Sequence, residues 1–426
     1  MDRTYFCIDM KTFFASVECA ERGLDPFETN LVVADVTRGK NALCLAVTPK
    51  MKAQGVWNRC RLSDIPSSIK YEIAPPRMAV YIKYAADIYS IYLDYIDAQD
   101  IHVYSIDEAF IDATEYLISY KKDKFDFARF LMTEIARRTH IPSTAGIGTN
   151  LYLAKIALDI VAKHTRDRIG FLNEEIYKKT LWHHRPITDF WMVASGTAKR
   201  LERYGIFDMY GITIMPAGFM YKLFGRDAEL LIDHAWGRET CLLSDIKSYR
   251  SKSHSVSFSQ ILPRDYTYKE ARTVMQEMVL NGAAELMKRR VVTNSVAVFI
   301  GYSRDVTAPG KGMKRLDVTT NLPSFLVRVA LGIYDAAVNP FFKVRRLAVS
   351  FDDVLDEGCE GYNFFVDPDA VERERSLCRA VLGINQRYGK NAVLSGINYT
   401  KEGTQRERNG FIGGHRAGYD DAKGKS

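Results

Sequence analysis

Two stretches decide the fold class: Tyr5-Phe6-Cys7-Ile8-Asp9-Met10-Lys11-Thr12-Phe13-Phe14-Ala15-Ser16-Val17-Glu18 and Ser105-Ile106-Asp107-Glu108-Ala109-Phe110-Ile111-Asp112. In the first, residues 4–8 are strand formers that stop at an acid, Asp9, and Phe13 to Glu21 carries Phe14, Val17 and Glu18 at helical spacing. Working outward, Leu31 to Ala34 predicts a second strand ending in a Gly39-Lys40 turn. Residues 77–98 set Met78, Tyr81, Ala85, Ile88 and Tyr92 on a wide apolar helix stripe. In the second stretch a strand from His102 to Ile106 is interrupted by Asp107-Glu108 and resumes from Ala109 to Ile111. Phe125 to Arg138 reads as an amphipathic helix and Ser143 to Ile147 as a strand. The order is β-α-β, helix, β-hairpin, α, β: an α+β core with carboxylates at strand ends.

From about residue 166 the texture changes to short helical pieces broken by Gly196, Gly205, Gly211 and Gly225, which predicts a small all-helical domain up to about 237. Beyond it Ser253–Leu262 reads as a strand, and Thr267 with Glu270 forms a capping box that opens a helix. Val291–Tyr302 alternates, with Val296, Val298, Ile300 and Tyr302 on one face. A strand Arg315–Thr320, a helix Ser324–Val338 stopped by Pro340, and a strand Arg345–Val354 complete a β-α-β-β-α-β unit. One more helix, Asp369–Tyr388, is predicted in the tail.

The chain has 426 residues, 47% hydrophobic and 26% charged, which excludes disorder throughout and allows several sizeable cores. No run approaches the roughly 20 apolar residues that span a bilayer, and the N-terminus lacks a signal-peptide core. Seven scattered cysteines with no CxxC pair suit the reduced thiols of a cytoplasmic protein, with neither a disulfide framework nor a zinc site. Residues 241–350 hold 17 Lys+Arg and 8 Asp+Glu, a local net of +9 against +7 for the whole chain, so the remainder is −2. A basic module is thus joined to a near-neutral body, which is either a solvated surface or a grip for a polyanion.

Asp9, Asp107 and Glu108 are the acids singled out by position. Adjacent residues of an extended strand point to opposite faces, so Asp107 and Glu108 reach one site only if the chain kinks there. Anions beside Ile106, Ala109 and Phe110 need cationic compensation. Two hard divalent ions shared by three carboxylates would supply it and would clamp the oxygens of a phosphoryl transfer. A polar turn at the sheet edge is the other reading of the same residues.

The runs Ile8–Glu18 and Ser105–Asp112, with Gly146-Ile147-Gly148-Thr149-Asn150 and Leu153-Ala154-Lys155, resemble the ordered motifs of Y-family (translesion) DNA polymerases. Within them the chain is most similar to the UmuC/ImpB/MucB-like group, in its Gram-positive UvrX-like branch. The resemblance implies a right-hand polymerase: a ferredoxin-like palm (1–30 and 70–165), small fingers (31–69), a helical thumb with a helix-hairpin-helix (166–237), a β-α-β-β-α-β little finger that binds DNA (241–355), and a tail (356–426). It implies low-fidelity, template-directed synthesis in the DNA damage (SOS) response, with two Mg2+ ions and no proofreading domain. Asp9, Asp107 and Glu108 would be the catalytic metal ligands, joined by the Met10 carbonyl. Lys11 departs from the family, in which many members have a further acid there.

The same resemblance places Phe13 and Phe14 at the nucleotide, Phe13 mostly as core and Phe14 as the steric gate beneath the sugar. Where relatives have a Tyr and an Arg on the triphosphate, this chain has Pro49 and Lys52; Thr48 is the candidate hydroxyl, and Lys163 matches a palm lysine that reaches the same phosphates. Leu43 and Ala46 fall near the roof over the nascent pair. Val193-Ala194-Ser195-Gly196 stands where the thumb usually has a Gly-rich turn, with Lys199 and Arg200 nearby. Gly361-Tyr362-Asn363-Phe364-Phe365 matches a degenerate sliding-clamp peptide, so Tyr362, Phe364 and Phe365 are candidate clamp contacts. Thr404–His415 resembles the tail of Gram-positive relatives; a flexible basic tail is the bland expectation. The implied partners are primer-template DNA and dNTPs, with a sliding clamp, a recombinase filament or accessory subunits left open. The competing functions are a catalytically silent DNA- or clamp-binding subunit and a nucleotidyl cyclase; intact acids argue against the first and the basic module against the second.

Overall fold

A computed structural model describes residues 3–250, 254–303, 307–361 and 367–418. The chain divides into two compact units, Met1–Arg250 with His415–Ser426, and Ser251–Gly414. Along the first unit come β1 (Tyr5–Met10), the helix Phe13–Ala20, β2 (Leu31–Ala34), β3 (Cys44–Val47), the helix Pro49–Ala53, β4 (Glu72–Ala74) and the helix Met78–Leu93. Then follow β5 (Ile101–Val103), β6 (Glu108–Asp112), the helix Lys124–Thr139, β7 (Ser143–Gly148), the helix Leu151–Ile156 and β8 (Ile169–Leu172).

The main sheet runs β5-β6-β1-β7-β8, with β1 at its centre and antiparallel to both neighbours. Alternation sends Phe6, Ile8 and Met10 into a core shared with the helices Phe13–Ala20, Met78–Leu93 and Lys124–Thr139. Tyr5 and Cys7 face the other way, against Leu151, Ala154 and Leu158. Both faces of β1 are therefore covered, which is why its sequence is a nearly continuous apolar run until Asp9. A smaller sheet, β3-β2-β4, encloses Val32, Cys44, Val47, Met51 and Val56. Five short helices between Glu174 and Ala235 pack around Tyr177, Phe190, Met209 and Met220.

Several boundaries differ from the sequence reading. The fifth strand of the main sheet, β8, lies beyond residue 165, where the sheet was expected to have ended. The second hairpin strand begins at Glu108 and not at Ala109, because the amides of Tyr104 and Ser105 both turn back to the Glu108 carbonyl, at 2.9 and 3.1 Å. The helix expected over 77–98 stops at Leu93, and Asp97 instead caps a short 3-10 turn through the Gln99 amide.

The second unit contains β9 (Val256–Tyr266), the helix Tyr268–Arg289, β10 (Val291–Tyr302), β11 (Gly310–Thr320), the helix Pro323–Ala337 and β12 (Val344–Asp352). The sheet order is β11-β10-β12-β9 with antiparallel neighbours throughout. It follows that β9 runs parallel to β10 with β12 between them, and β11 parallel to β12 with β10 between them: two interleaved split βαβ units. The capping box is present, the Thr267 amide donating to Glu270 Oε2 at 2.7 Å. Val296, Val298, Ile300 and Tyr302 are buried beneath the two helices, and Gly282 lets the first of them lie on Phe351, whose ring a Cβ would meet at 2.2 Å.

The helix Pro368–Tyr388 follows. The segment after it is not a loose basic tail. Glu277, 1% exposed, accepts hydrogen bonds from Asn398 Nδ2 (2.7 Å) and from the amides of Thr404 (2.7 Å) and Gln405 (3.3 Å), which fixes the segment to the long helix. Within the first unit, Arg416 pairs with Asp35 at 3.3 Å and donates to Thr37 Oγ1, while the Ala417 carbonyl accepts the Ala79 amide at 2.8 Å. The candidate clamp residues Tyr362, Phe364 and Phe365 lie outside the described residues. Among the described residues no helix is long and apolar enough to cross a membrane.

Candidate active site

The β1–β6 register sets Asp9 directly opposite Glu108, so their side chains leave the same face of the sheet, the face of Tyr5 and Cys7. Asp107 does not sit in the strand. It belongs to the turn before β6, where Ser105 Oγ donates to Asp107 Oδ1 at 2.7 Å and the Asp107 carbonyl accepts the Met10 amide at 2.9 Å. This turn supplies the kink that two adjacent acids need if both are to approach Asp9. Burial, and then the charges of Asp107 and Glu108, push the Asp9 carboxyl up to about 8.

Glu108 is held by a cation that the sequence reading quoted only as part of a motif. Lys155 Nζ lies 2.9 Å from Glu108 Oε1 and 3.0 Å from Oε2, and 3.1 Å from Asp159 Oδ2. The Cys7 thiol donates to the same Glu108 Oε1 at 3.0 Å. Burial opposes the Lys155 charge, but Glu108, Cys7 and Asp159 outweigh it and keep the ammonium protonated above its ordinary range. The glycines make this approach possible. A Cβ on Gly146 would fall 2.1 Å from the Ala154 carbonyl oxygen, and one on Gly148 2.1 Å from the Ala154 nitrogen. The Leu151–Ile156 helix can therefore lie against β7 and present Lys155 to β6.

The donor set of Asp9, Asp107, Glu108 and the Met10 carbonyl is all oxygen, which suits a hard divalent ion. The raised Asp9 carboxyl fits the same view, since crowded acids with too little positive charge ionise only when a cation arrives. Among the described residues no three acid, His or Cys side chains already converge on one point, and Glu108 is turned onto Lys155. To share an ion with Asp9 and Asp107, Glu108 must turn from that ammonium.

Phe13 is buried, whereas Phe14 is half-buried and stacks on Tyr81 with centroids 4.7 Å apart. Tyr81 in turn donates to Glu18 Oε1 at 2.8 Å, and Arg77 binds both Glu18 oxygens at 2.9 Å; Arg22 adds a third charge-assisted bond. The sequence reading missed this support; its one signal is an acid inside the apolar run of the first helix. Lys52 is half-buried, its charge opposed by burial and then by Lys11 and Lys163, and drawn toward Asp9. Lys163 is exposed.

Thr48 is not brought to the site. It is fully buried, its hydroxyl donating to the Thr29 carbonyl at 2.7 Å and accepting from the Leu31 amide, so no hydroxyl is free for a ligand. Leu43 is exposed and Ala46 buried. In the helix Ser195–Glu202, a Cβ on Gly196 would meet nothing, Lys199 is exposed, and Arg200 donates to the Leu223 carbonyl at 3.0 Å.

Residues 8–159 match the impB/mucB/samB family model and residues 253–362 the C-terminal domain model of the same family. UvrX of Bacillus subtilis (strain 168), provisionally named a UV-damage repair protein, is 30% identical over 423 residues, covering 97% of this chain and 98% of the relative. DNA polymerase IV 2 of the same organism is 28% identical over 428 residues, covering 97% and 99%. In fold, the chain is similar to a solved Y-family DNA polymerase chimera of Dbh and Dpo4, with a TM-score of 0.63 and 19% identity over 83% of this chain and 99% of that one. The matches run through both units and include the Asp9, Asp107 and Glu108 region, and so the chain belongs to the impB/mucB/samB family, the UmuC-like group of Y-family polymerases.

Proposed function

We propose that this chain, a DNA-directed DNA polymerase by its family, copies damaged templates with low fidelity and without proofreading, as part of the DNA damage (SOS) response in a bacterial cytoplasm. The observation that carries this reading is the placement of three acids at one end of the five-stranded sheet, with Asp9 opposite Glu108 and Asp107 in the adjoining turn.

Two Mg2+ ions held there by Asp9, Asp107, Glu108 and the Met10 carbonyl would lower the pKa of the primer 3′-hydroxyl and neutralise charge on the triphosphate. The chain's own residues do the rest. Lys155 pairs with both oxygens of Glu108 and holds its side chain aimed until it is needed. Phe14, braced on Tyr81, forms a flat wall that suits a deoxyribose and crowds a 2′-hydroxyl. Lys52 and Lys163 take the triphosphate by charge alone, since a lysine lacks the bidentate fork of arginine. We assign the palm to 1–30 and 70–165 with β8 added to it, the fingers to 31–69, the thumb to 166–237 and the little finger to 241–355. The basic stretch 241–350, net +9, then grips the DNA backbone, and its binding should weaken steeply with salt.

Primer extension on a recessed template, with Mg2+ and each dNTP, tests the reading by comparing the wild type with Asp107→Ala. Extension by the wild type and its loss in the variant are expected. Absence of extension by either, with duplex binding intact, would favour the non-catalytic subunit instead.

A further inference from the structure

The Lys155 ammonium lies between two carboxylates and reaches both oxygens of each, at 2.9 and 3.0 Å in Glu108 and at 3.2 and 3.1 Å in Asp159. An ammonium has three N–H donors, so four oxygens share three bonds, and those bonds can pass from one acid to the other by rotation about the last carbon. Glu108 has a second task, since it must turn from Lys155 to share an ion with Asp9 and Asp107. That turn would leave Lys155, whose side chain is 10% exposed, with neither a partner nor water unless a second anion holds it. Asp159 is that anion. It pairs with no other cation among the described residues, and at 29% exposed it stands nearer the solvent than Glu108 at 9%.

The backbone carries Asp159 on an unusual segment. The helix Leu151–Ile156 runs directly into a π-helical turn, Ala157–Val161, a rare widening found mostly at functional sites. Ala157, Leu158 and Ile160 are buried in the packing behind it, whereas Asp159 is half-buried. The turn is pressed onto the sheet where only glycine leaves room. A Cβ on Gly146 would meet the Leu158 nitrogen at 2.3 Å, and one on Gly170 of β8 would meet the Ala157 carbonyl oxygen at 2.5 Å and the Ala162 nitrogen at 2.8 Å. Asp159 is thus fixed one turn beyond Lys155. An ordinary surface pair at this spacing steadies a helix slightly and needs neither the widened turn nor the close packing.

We propose that Asp159 is a positioning residue for metal loading, holding the Lys155 ammonium when Glu108 turns to join Asp9 and Asp107 on a divalent ion. The proposal rests on the metal-site reading above. Lys155 then has two states, shared by Glu108 and Asp159 in one and held by Asp159 in the other, and Glu108 leaves without stranding a buried charge. Without Asp159, Lys155 would keep Glu108, and an arriving ion would have to compete with the ammonium for it.

Mn2+ binding to the full-length chain, read from the electron paramagnetic resonance of the free ion, tests this without turnover. Asp107→Ala identifies the binding that belongs to the acids. Asp159→Asn should weaken that binding about tenfold, and Asp159→Glu, which keeps the carboxylate, should recover most of the loss. A nearby carboxylate also attracts a cation through space, so the same substitution is repeated in Lys155→Met, with Lys155→Gln in reserve should the methionine variant not fold. Action through Lys155 predicts a loss below about twofold in that background. A loss as large as in the wild-type background would assign Asp159 to the general field and overturn the proposal. Equal Mn2+ affinity in Asp159→Asn and wild type, with Asp107→Ala impaired, would overturn it and leave the metal site standing. Equal affinity in Asp107→Ala and wild type would sink the metal-site reading and the proposal with it. In primer extension, Asp159→Asn should raise the Mg2+ concentration for half-maximal rate far more than it lowers the rate at saturating Mg2+; the opposite split would overturn the loading role.

Discussion

Lys155 shows how a single side chain can organise a site from outside it. Its side chain is about one-tenth exposed, and Glu108 beside it is as well buried, so neither charge has water to fall back on. Removing one partner of such a pair leaves the other stranded and costs about 3–5 kcal/mol, far more than an exposed pair is worth. Lys155→Met should therefore destabilise the first unit by about 3 kcal/mol in urea unfolding, and adding Glu108→Gln should restore part of that loss. Equal stability of Lys155→Met and wild type would show that solvent, not Lys155, compensates Glu108. The three acids were legible in the sequence, because carboxylates at strand ends stand out against apolar neighbours. Lys155 was not, since a lysine between Ala154 and Ile156 reads as surface until the close approach at Gly146 and Gly148 is known. Thr48 failed in the opposite direction: a hydroxyl looks available in sequence, but the backbone of its own turn consumes it.

At the scale of elements, the first helix is tied to the Met78–Leu93 helix by a buried acid. Burial alone would raise the Glu18 carboxyl, but hydrogen bonds from Arg77, Arg22 and Tyr81 hold it below the usual range. Its folded pKa is thus lower than its unfolded value of about 4.5. The stabilisation is present in full above that value and is lost as the pH falls through the folded pKa. Glu18→Gln should cost roughly 3 kcal/mol at pH 7, and the gap to wild type should narrow below about pH 4.5. A gap independent of pH between 7 and 3.5, followed by denaturant melts, would mean that Glu18 acts by shape and not by charge. Long, strongly patterned elements were legible: Val291–Tyr302 and the start of the capped helix after Thr267 were read to within a residue. β8 was missed because four residues flanked by Arg168 and Asn173 carry too little periodicity, and only pairing with β7 makes them a strand.

For the whole molecule, the chain crosses between its two units twice, after Arg250 and after Gly414, so the tail is a second covalent connection and not a free end. What anchors it in the second unit is Glu277, a buried carboxylate that presents itself to two backbone amides and the Asn398 side chain. Hydrogen bonds to a charged group are worth about 1.5–3 kcal/mol each against their loss, and a carboxylate is an acceptor that alanine cannot replace. The sequence could not reveal this, because Glu277 falls at an ordinary position in a long helix and its partners lie more than a hundred residues away. Glu277→Ala should release the segment while sparing the sheet, whose core does not include it. Lys401, Arg406 and Arg408 make the segment a natural trypsin substrate once its backbone is free. Limited trypsin digestion should therefore cleave the variant there at least tenfold faster than the wild type, with the β9–β12 core resisting in both. Identical cleavage rates would show that the tail is held by something other than Glu277, and the clasp would have to be sought in the contacts of Arg416 and Ala417 with the first unit.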